Sequence, residues 1–133
     1  MGEKQRMKSN NRIDIRPQIV GLNTLPNKSI EEGFQNTTLR PIIKLQHHLL
    51  VLYVKEYLIN TKKRFEDFST LKKIEILTLI FKKDNLLKTE LKGIIIGHFT
   101  TDEFLIYCTN KTEFNKRILA MIHQRITSVI DSL

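Results

Sequence analysis

Apolar residues recur at three- and four-residue steps over most of the chain after Leu39, which is the periodicity of amphipathic helices. The densest such stretch is residues 86–104, LLKTELKGIIIGHFTTDEF. Asp84 stands just before it and is a residue type that caps helix N-termini. The three isoleucines at 94–96 could instead be a short buried strand, but the helical spacing already begins at Leu87, which favours a helix.

The end of this stretch predicts a sharp corner between two helices. Thr100 is a suitable N-cap and Glu103 would be the third helical residue, so the two can form a capping box. Phe99 precedes the cap and Phe104 follows in the first turn, which places their rings to form a hydrophobic staple. One helix therefore ends and the next begins within about three residues, and we expect the pair to cross at a steep angle.

Helical periodicity predicts five helices, at about residues 39–60, 70–83, 85–98, 101–108 and 111–131. The first is apolar over much of its circumference, so we expect it to be central and packed on several sides. Ser69 caps the second, whose inward residues are expected to be Leu71, Ile74, Leu77, Ile80 and Phe81. The predicted fold class is all-α: a compact bundle of four main helices plus one short helix, with a flexible N-terminal arm.

Residues 1–32 are predicted to form this flexible arm, and residues 33–133 a single helical domain. The arm is polar and charged, and it is interrupted by Pro17, Gly21 and Pro26. A short helical turn can begin at Ser29, with Glu32 in the register of a capping box.

The composition agrees with an all-α domain. Glycine and proline, at five and three of 133 residues, are too scarce for a turn-rich all-β fold. Cys108 is the single cysteine, which excludes an internal disulfide, and we expect it to be a buried structural thiol. No apolar run approaches the roughly 18 residues of a membrane span, and residues 1–12 have no signal-peptide core. We therefore expect no membrane contact and a cytoplasmic location.

The net charge of +8 favours anionic partners, nucleic acid among them. A helix-turn-helix-like element at residues 101–125 could use this charge, because a short helix is followed by a turn near Asn110 and then by a long helix. Bulky Ile106 and Tyr107 stand where two such helices should cross closely, which argues against this assignment. The polar and basic side chains that would contact nucleic acid are Lys111, Thr112, Asn115, Lys116 and Arg117.

No residue pattern predicts a catalytic, cofactor-binding or metal site. His47 and His48 are adjacent in a predicted helix, so their side chains point about 100° apart and cannot share a metal without other ligands. The chain has no phosphate-binding loop, no GxGxxG motif and no nucleophile elbow. We therefore predict no cofactor.

Three segments carry a resemblance to known proteins: FQNTTLRPIIK at 34–44, LKGIIIGHFTTDEF at 91–104, and the tail containing Asn115-Lys116-Arg117. They resemble a group of small all-helical bacterial proteins of about this length, over most of residues 34–133. The resemblance implies a helical fold and no established function. Some members carry a glyoxalase label, but glyoxalases are βαβββ metalloenzymes, and this sequence has neither such strands nor a suitable ligand set.

These features predict a non-enzymatic helical protein that acts through contact with an unknown protein partner. The alternative is a nucleic-acid-binding protein that uses residues 101–125, and the second alternative is an enzyme of unknown type. The last helix is also predicted to pair with a second copy of the chain as a homodimer. A second apolar edge supports this pairing, since it runs through Leu119, Ile126 and Ile130 beside the inward stripe.

Overall fold

The computed structural model describes residues 11–19, 29–61 and 64–133, and within these ranges the fold is all-α, as predicted. We label the seven α-helices between residues 29 and 133 α1 Ile30–Phe34, α2 Arg40–Leu45, α3 His47–Asn60, α4 Thr70–Lys83, α5 Asn85–Ile96, α6 Thr101–Cys108 and α7 Lys111–Ser128. Shorter elements are a π-helix at Gln35–Leu39 and 3₁₀ turns at Phe65–Asp67 and Ile130–Ser132. The alternative of a strand at residues 94–96 is wrong, because they complete α5.

The first predicted helix differs most from the structure, and it changes the helix count. Helical backbone begins at Ile30, continues through the π-helix into α2, and is interrupted at Gln46 before α3. The predicted start at Leu39 took Pro41 for a first-turn residue. Proline inside a helix removes one hydrogen bond and crowds the carbonyl four residues earlier. Here a π-turn precedes Pro41, and Arg40 N donates to Gln35 O, five residues back, so the helix widens instead of ending.

The predicted N-caps are confirmed by their hydrogen bonds. The Ser69 hydroxyl accepts from Lys72 N at 3.2 Å, and an Asp84 carboxylate oxygen accepts from Leu87 N at 3.0 Å. At the corner, the Thr100 hydroxyl accepts from Glu103 N, and Glu103 Oε1 accepts from Thr100 N at 2.9 Å. Both halves of the capping box are therefore present. The Ser29 cap of α1 is also formed, so the predicted domain boundary at residue 32 falls inside a helix.

The last helix, α7, lies at the centre of the fold. Phe114, Ile118, Ile122 and Ile126 follow one another at four-residue steps and are completely buried. This stripe packs against α3, α4, α5 and α6. The prediction that the first helix is the central one is therefore wrong. Periodicity reveals how wide an apolar face is, but it does not reveal how many neighbours will cover it.

In the first turn of α4, the side chain that is buried differs from the prediction. Leu71, expected inside, is 78% exposed, whereas Lys73 is buried. The Lys73 ammonium lies 3.5 Å from an Asp131 carboxylate oxygen and 5.8 Å from the centre of the Phe65 ring. A lysine can be buried in this way because its alkyl chain packs on apolar groups while its charge is paired.

The corner between α5 and α6 is held mainly by other rings than the predicted pair. Phe99 is buried, with its ring centre 5.5 Å from that of Phe34 and 5.7 Å from that of Tyr107. Phe104 is 42% exposed, so it buries less of its ring at the corner than Phe99, and the staple contact between the two stays a prediction. Tyr107 takes the inward position on α6 instead. Cys108 is exposed, which contradicts the expected buried thiol.

Arg12 and Arg16, from the described residues 11–19, bind this same corner. Arg16 donates to both carboxylate oxygens of Glu103, at 2.7 and 2.8 Å, and to His98 O at 2.7 Å. Arg12 donates to Gly97 O and Phe99 O. These carbonyls follow the last turn of α5, where the chain has no helical donors left. Residues 1–10 and 20–28 of the predicted flexible arm lie outside the described residues, so the arm remains a prediction.

Candidate protein-binding groove

Helix α3 carries two apolar stripes, and only one of them is used by the core. Leu50, Val54 and Leu58 are buried at four-residue steps. The other stripe includes Leu49 and Leu52, which are 44% and 54% exposed. The sequence of α3 is apolar over more of its circumference than its neighbours cover, so the second stripe remains at the surface.

This second stripe forms one wall of a groove of about 450 Å³, and the start of α5 forms the other wall. Leu87 is buried at the base of the second wall, and Leu86 beside it is 70% exposed. We call this site the acidic-rimmed groove. Its lining residues are Leu49, Leu52, Tyr53, Glu56, Tyr57, Asn60, Asp84, Leu86, Leu87 and Glu90.

A hydrogen bond joins the two walls. The Tyr57 hydroxyl donates to the Asp84 carboxylate at 2.5 Å, and Asp84 at the same time caps α5. The hydrogen bond to Asp84, then burial and the Asp84 charge, raise the pKa of Tyr57 to about 12. The backbone hydrogen bond from Leu87 and then the Tyr57 hydroxyl lower the pKa of Asp84. At neutral pH the pair is thus a neutral phenol and a carboxylate, joined by a hydrogen bond between α3 and the N-cap of α5.

The charge of the groove is opposite to that of the whole chain. Glu56, Asp84 and Glu90 line it, and no lysine or arginine of the described chain does. Glu56 and Glu90 are exposed, and neither forms an ion pair with another described residue. The groove is therefore an apolar surface with negative charge on its rim that has no ion-pair partner within residues 11–19, 29–61 and 64–133, in a protein of net charge +8.

The five side chains predicted to contact nucleic acid lie on the first two turns of α7. Two of them are engaged within the fold: Asn115 accepts from the Tyr107 hydroxyl at 2.5 Å, and Arg117 bonds Glu113 and Gln35 at 3.0 and 2.8 Å. Lys111 lies 6.0 Å from the Phe104 and Tyr107 ring centres. Thr112 and Lys116 are exposed. Asn110 has a φ of −157°, so the left-handed conformation that would suit such a turn is absent there.

The histidines are dispersed over the described part of the chain, and no three His, Cys, Asp or Glu side chains there are grouped to hold a metal ion. Burial lowers the pKa of His98 and of His123, and the Arg16 and Arg12 charges lower that of His98 further. Gln46 Nε2 lies 2.5 Å from His98 Nε2, and Thr78 Oγ1 lies 3.1 Å from His123 Nε2. Both shifts favour the neutral imidazole, and each ring contacts a neighbouring side chain.

The apolar edge that suggested a homodimer is largely covered by the chain itself. Ile126 and Ile130 are buried within the monomer, and Leu119 is half-buried. The exposed stripe of α7 consists of Thr112, Lys116, Ala120, Gln124 and Ser128. The dimer remains a prediction, without an exposed apolar face on α7 to support it.

No family model, curated protein or solved structure that was compared with the chain matches it. The resemblance to small helical bacterial proteins therefore remains an expectation. Among the described helices, none combines the length and the apolarity that a bilayer crossing requires.

Sequence reasoning did not find the acidic-rimmed groove, although one signal for it was present. The sequence places apolar residues over more than half of the circumference of α3, which is enough for two stripes. Such a width predicts a central helix. The same width also arises when one stripe packs and the other is a binding surface.

Proposed function

We propose that this protein acts by binding another protein, and that the acidic-rimmed groove accepts a cationic amphipathic helix of that partner. The observation that carries the proposal is the coincidence of exposed leucines and exposed glutamates in one groove. Leu49, Leu52 and Leu86 provide exposed apolar surface on the two walls of the groove. Contiguous exposed apolar surface is typical of interaction sites.

The shape of the groove supports a helix as its occupant. Its longer wall extends along α3 from Leu49 to Asn60, which is roughly 16 Å at the helical rise per residue. About three turns of a partner helix fit this length, with apolar anchors at positions i, i+3 or i+4, and i+7. Parallel packing of two helices would bury the leucines on both sides.

The rim supports a partner with positive charge. Lysines or arginines flanking the apolar anchors would meet Glu56 and Glu90, which have no ion-pair partner among the described residues. The net charge of +8 disfavours cationic partners elsewhere on the surface. Local negative charge therefore directs such a helix to this groove.

The experiment uses a fluorescent synthetic peptide with leucines at i, i+3 and i+7 and lysines on both flanks. Anisotropy titration of the full chain is expected to show binding, and Leu52→Glu is expected to weaken it by about tenfold or more. Leu105→Glu is the matched control, because Leu105 is an exposed leucine on α6 outside the groove. A peptide with glutamates in place of the lysines should bind far more weakly.

Equal affinity of the peptide for the wild-type chain and for Leu52→Glu would refute the proposal. Sedimentation equilibrium identifies the case in which the occupant is a second copy. In that case the wild-type chain sediments as a dimer and Leu52→Glu sediments at the monomer mass of 15.7 kDa. A dimer that persists in Leu52→Glu would instead support the pairing predicted through the last helix.

Nucleic-acid binding remains the second candidate, since Lys111, Thr112 and Lys116 are exposed together at the start of α7. Its test is the salt dependence of binding to a duplex oligonucleotide, which should weaken in Lys116→Gln. A cytoplasmic location and an enzymatic activity of unknown type also remain untested expectations.

A further inference from the structure

A second cavity lies between α2 and α7, with a volume of about 460 Å³. Arg40, Ile43 and Lys44 line it from α2, and Met121 and Arg125 line it from α7. The residues on each helix are three and four apart, so each set occupies one face of its helix. The two faces come together from positions about 80 residues apart in the sequence.

The charge of this cavity is entirely positive. Arg40, Lys44 and Arg125 line it, and no aspartate or glutamate of the described chain does. None of the three cations forms an ion pair with a described residue. Positive groups that line one cavity repel one another, and an anion bound between them would relieve that repulsion.

The arginines retain donors for such an anion. Arg40 uses Nε to donate to Asn36 Oδ1 at 2.9 Å, and Arg125 Nη1 lies 3.4 Å from His47 Nδ1. A guanidinium has five N–H donors, so each has others to offer. Burial, and then the Arg125 and His48 charges, lower the pKa of His47, so His47 is a neutral acceptor beside half-buried Arg125. These contacts orient both guanidinium groups.

The base of the cavity is apolar. Ile43 is buried beneath it, and Met121 and Ile19 are partly buried at its sides. A volume of about 460 Å³ lies within the usual range for small-molecule sites and exceeds what a single inorganic anion occupies. The site thus offers cationic donors and an apolar surface to the same ligand.

We propose that this cavity binds a small organic phosphate. Arg40, Lys44 and Arg125 hold the phosphate group, and the apolar part of the ligand packs on Ile43 and Met121. Guanidinium groups match the geometry of phosphate oxygens, which is why arginine is common in phosphate sites. This site shares no residue with the acidic-rimmed groove, so the two proposals stand or fall separately.

The test is isothermal titration calorimetry of the full chain with phenyl phosphate, inorganic phosphate and phenol. Phenyl phosphate should bind more tightly than inorganic phosphate, and phenol should not bind. Arg40→Gln and Arg125→Gln are each expected to weaken phenyl phosphate by about tenfold, the usual loss for a charge-assisted hydrogen bond. Lys116→Gln is the matched control, since it removes one positive charge from an exposed position of α7 outside the cavity.

Several results would overturn the proposal. Absence of heat with both phosphates excludes an anion site, and equal affinity for the two phosphates excludes the apolar part of the ligand. Equal weakening by Lys116→Gln and Arg125→Gln would mean that the anion is attracted by the general surface charge and not by this cavity. Titration with a single-stranded oligonucleotide gives a further check. If the oligonucleotide binds and the small phosphates do not, the same conclusion follows. Thermal denaturation of each variant checks folding, and Arg40→Gln, at an exposed position, keeps the test decisive if Arg125→Gln unfolds.

Discussion

At the scale of single residues, the Glu103 carboxylate accepts more hydrogen bonds than any other charged side chain described. Its carboxylate accepts from Thr100 N in the capping box, from Arg16 twice, and from the Thr38 hydroxyl at 3.2 Å. The Arg16 side chain is only 5% exposed. A buried arginine depends on its carboxylate, because the loss of one partner leaves the other charge unpaired and poorly solvated.

Glu103→Gln is expected to lower the free energy of unfolding at pH 7 by about 1.5–3 kcal/mol, the range for hydrogen bonds to charged groups. Burial alone would raise the pKa of Glu103, but the hydrogen bonds from Arg16 and Thr100 and the Arg16 charge lower it overall. The stabilisation is therefore present above the unfolded-state pKa, about 4.3, and is lost as the pH falls through the lower folded-state value.

Urea denaturation between pH 7 and pH 3 measures this effect, and the difference between wild type and Glu103→Gln should shrink toward the acid end. Asp102→Asn is the control, because Asp102 is the exposed neighbouring carboxylate. A difference that is constant with pH would show that the substitution acts through packing alone.

At the scale of elements, the corner between α5 and α6 is a junction of aromatic rings from three segments. Phe34 from α1 contacts both Phe99 at the corner and Phe114 from α7, with ring centres 5.5 and 4.8 Å away. Tyr107 extends this cluster to α6. The junction of α5 and α6 is thus stabilised by Phe34, which lies far earlier in the chain.

The two phenylalanines of the predicted staple should consequently differ in their contribution. Phe99→Ala is expected to cost about 3–5 kcal/mol of stability, the range for buried phenylalanine, because it leaves a cavity in the ring cluster. Phe104→Ala should cost less than half as much, since its ring is largely at the surface. If chemical denaturation shows that the two variants lose equal stability, the staple would be the main contact of the corner.

At the scale of the whole molecule, α7 acts as the common neighbour of four helices. A helix in this position has few apolar residues left to expose, and its outer stripe is polar. The two sites on the remaining surface have opposite charge: the acidic-rimmed groove belongs to α3 and α5, and the cationic cavity to α2 and α7. The net charge of +8 agrees in sign with the cavity and is opposite to the groove.

Ile122→Ala is expected to lower the free energy of unfolding by about 2–5 kcal/mol and to reduce hydrogen-exchange protection in α3, α4 and α5 as well as in α7. The reason is that the helix these elements share would lose a completely buried side chain. Leu71→Ala, at an exposed position of α4, should change stability by less than about 0.5 kcal/mol. Loss of protection confined to α7 would show that the fold does not respond as one cooperative unit.

Local signals in the sequence were sufficient for the helix starts at Ser69, Asp84 and Thr100. A capping residue acts on backbone groups two or three positions away, so no tertiary contact is needed to recognise it. The same reasoning failed at Pro41, where a π-turn inside a longer helix accommodates the proline. It also failed at Leu71 and Cys108, because the neighbours of a helix select which of its faces is covered.

The sequence by itself therefore determined the class of the fold, the bounds of α4 and α6 and the caps that begin them. Only the tertiary structure decided that α7 is central, that α3 leaves one apolar stripe exposed, and that residue 16 pairs with residue 103. The cationic cavity belongs to the same category, since Arg40 and Arg125 come from distant helices. Helix formation is governed by interactions within about four residues, whereas the composition of a site is governed by which distant faces pack together.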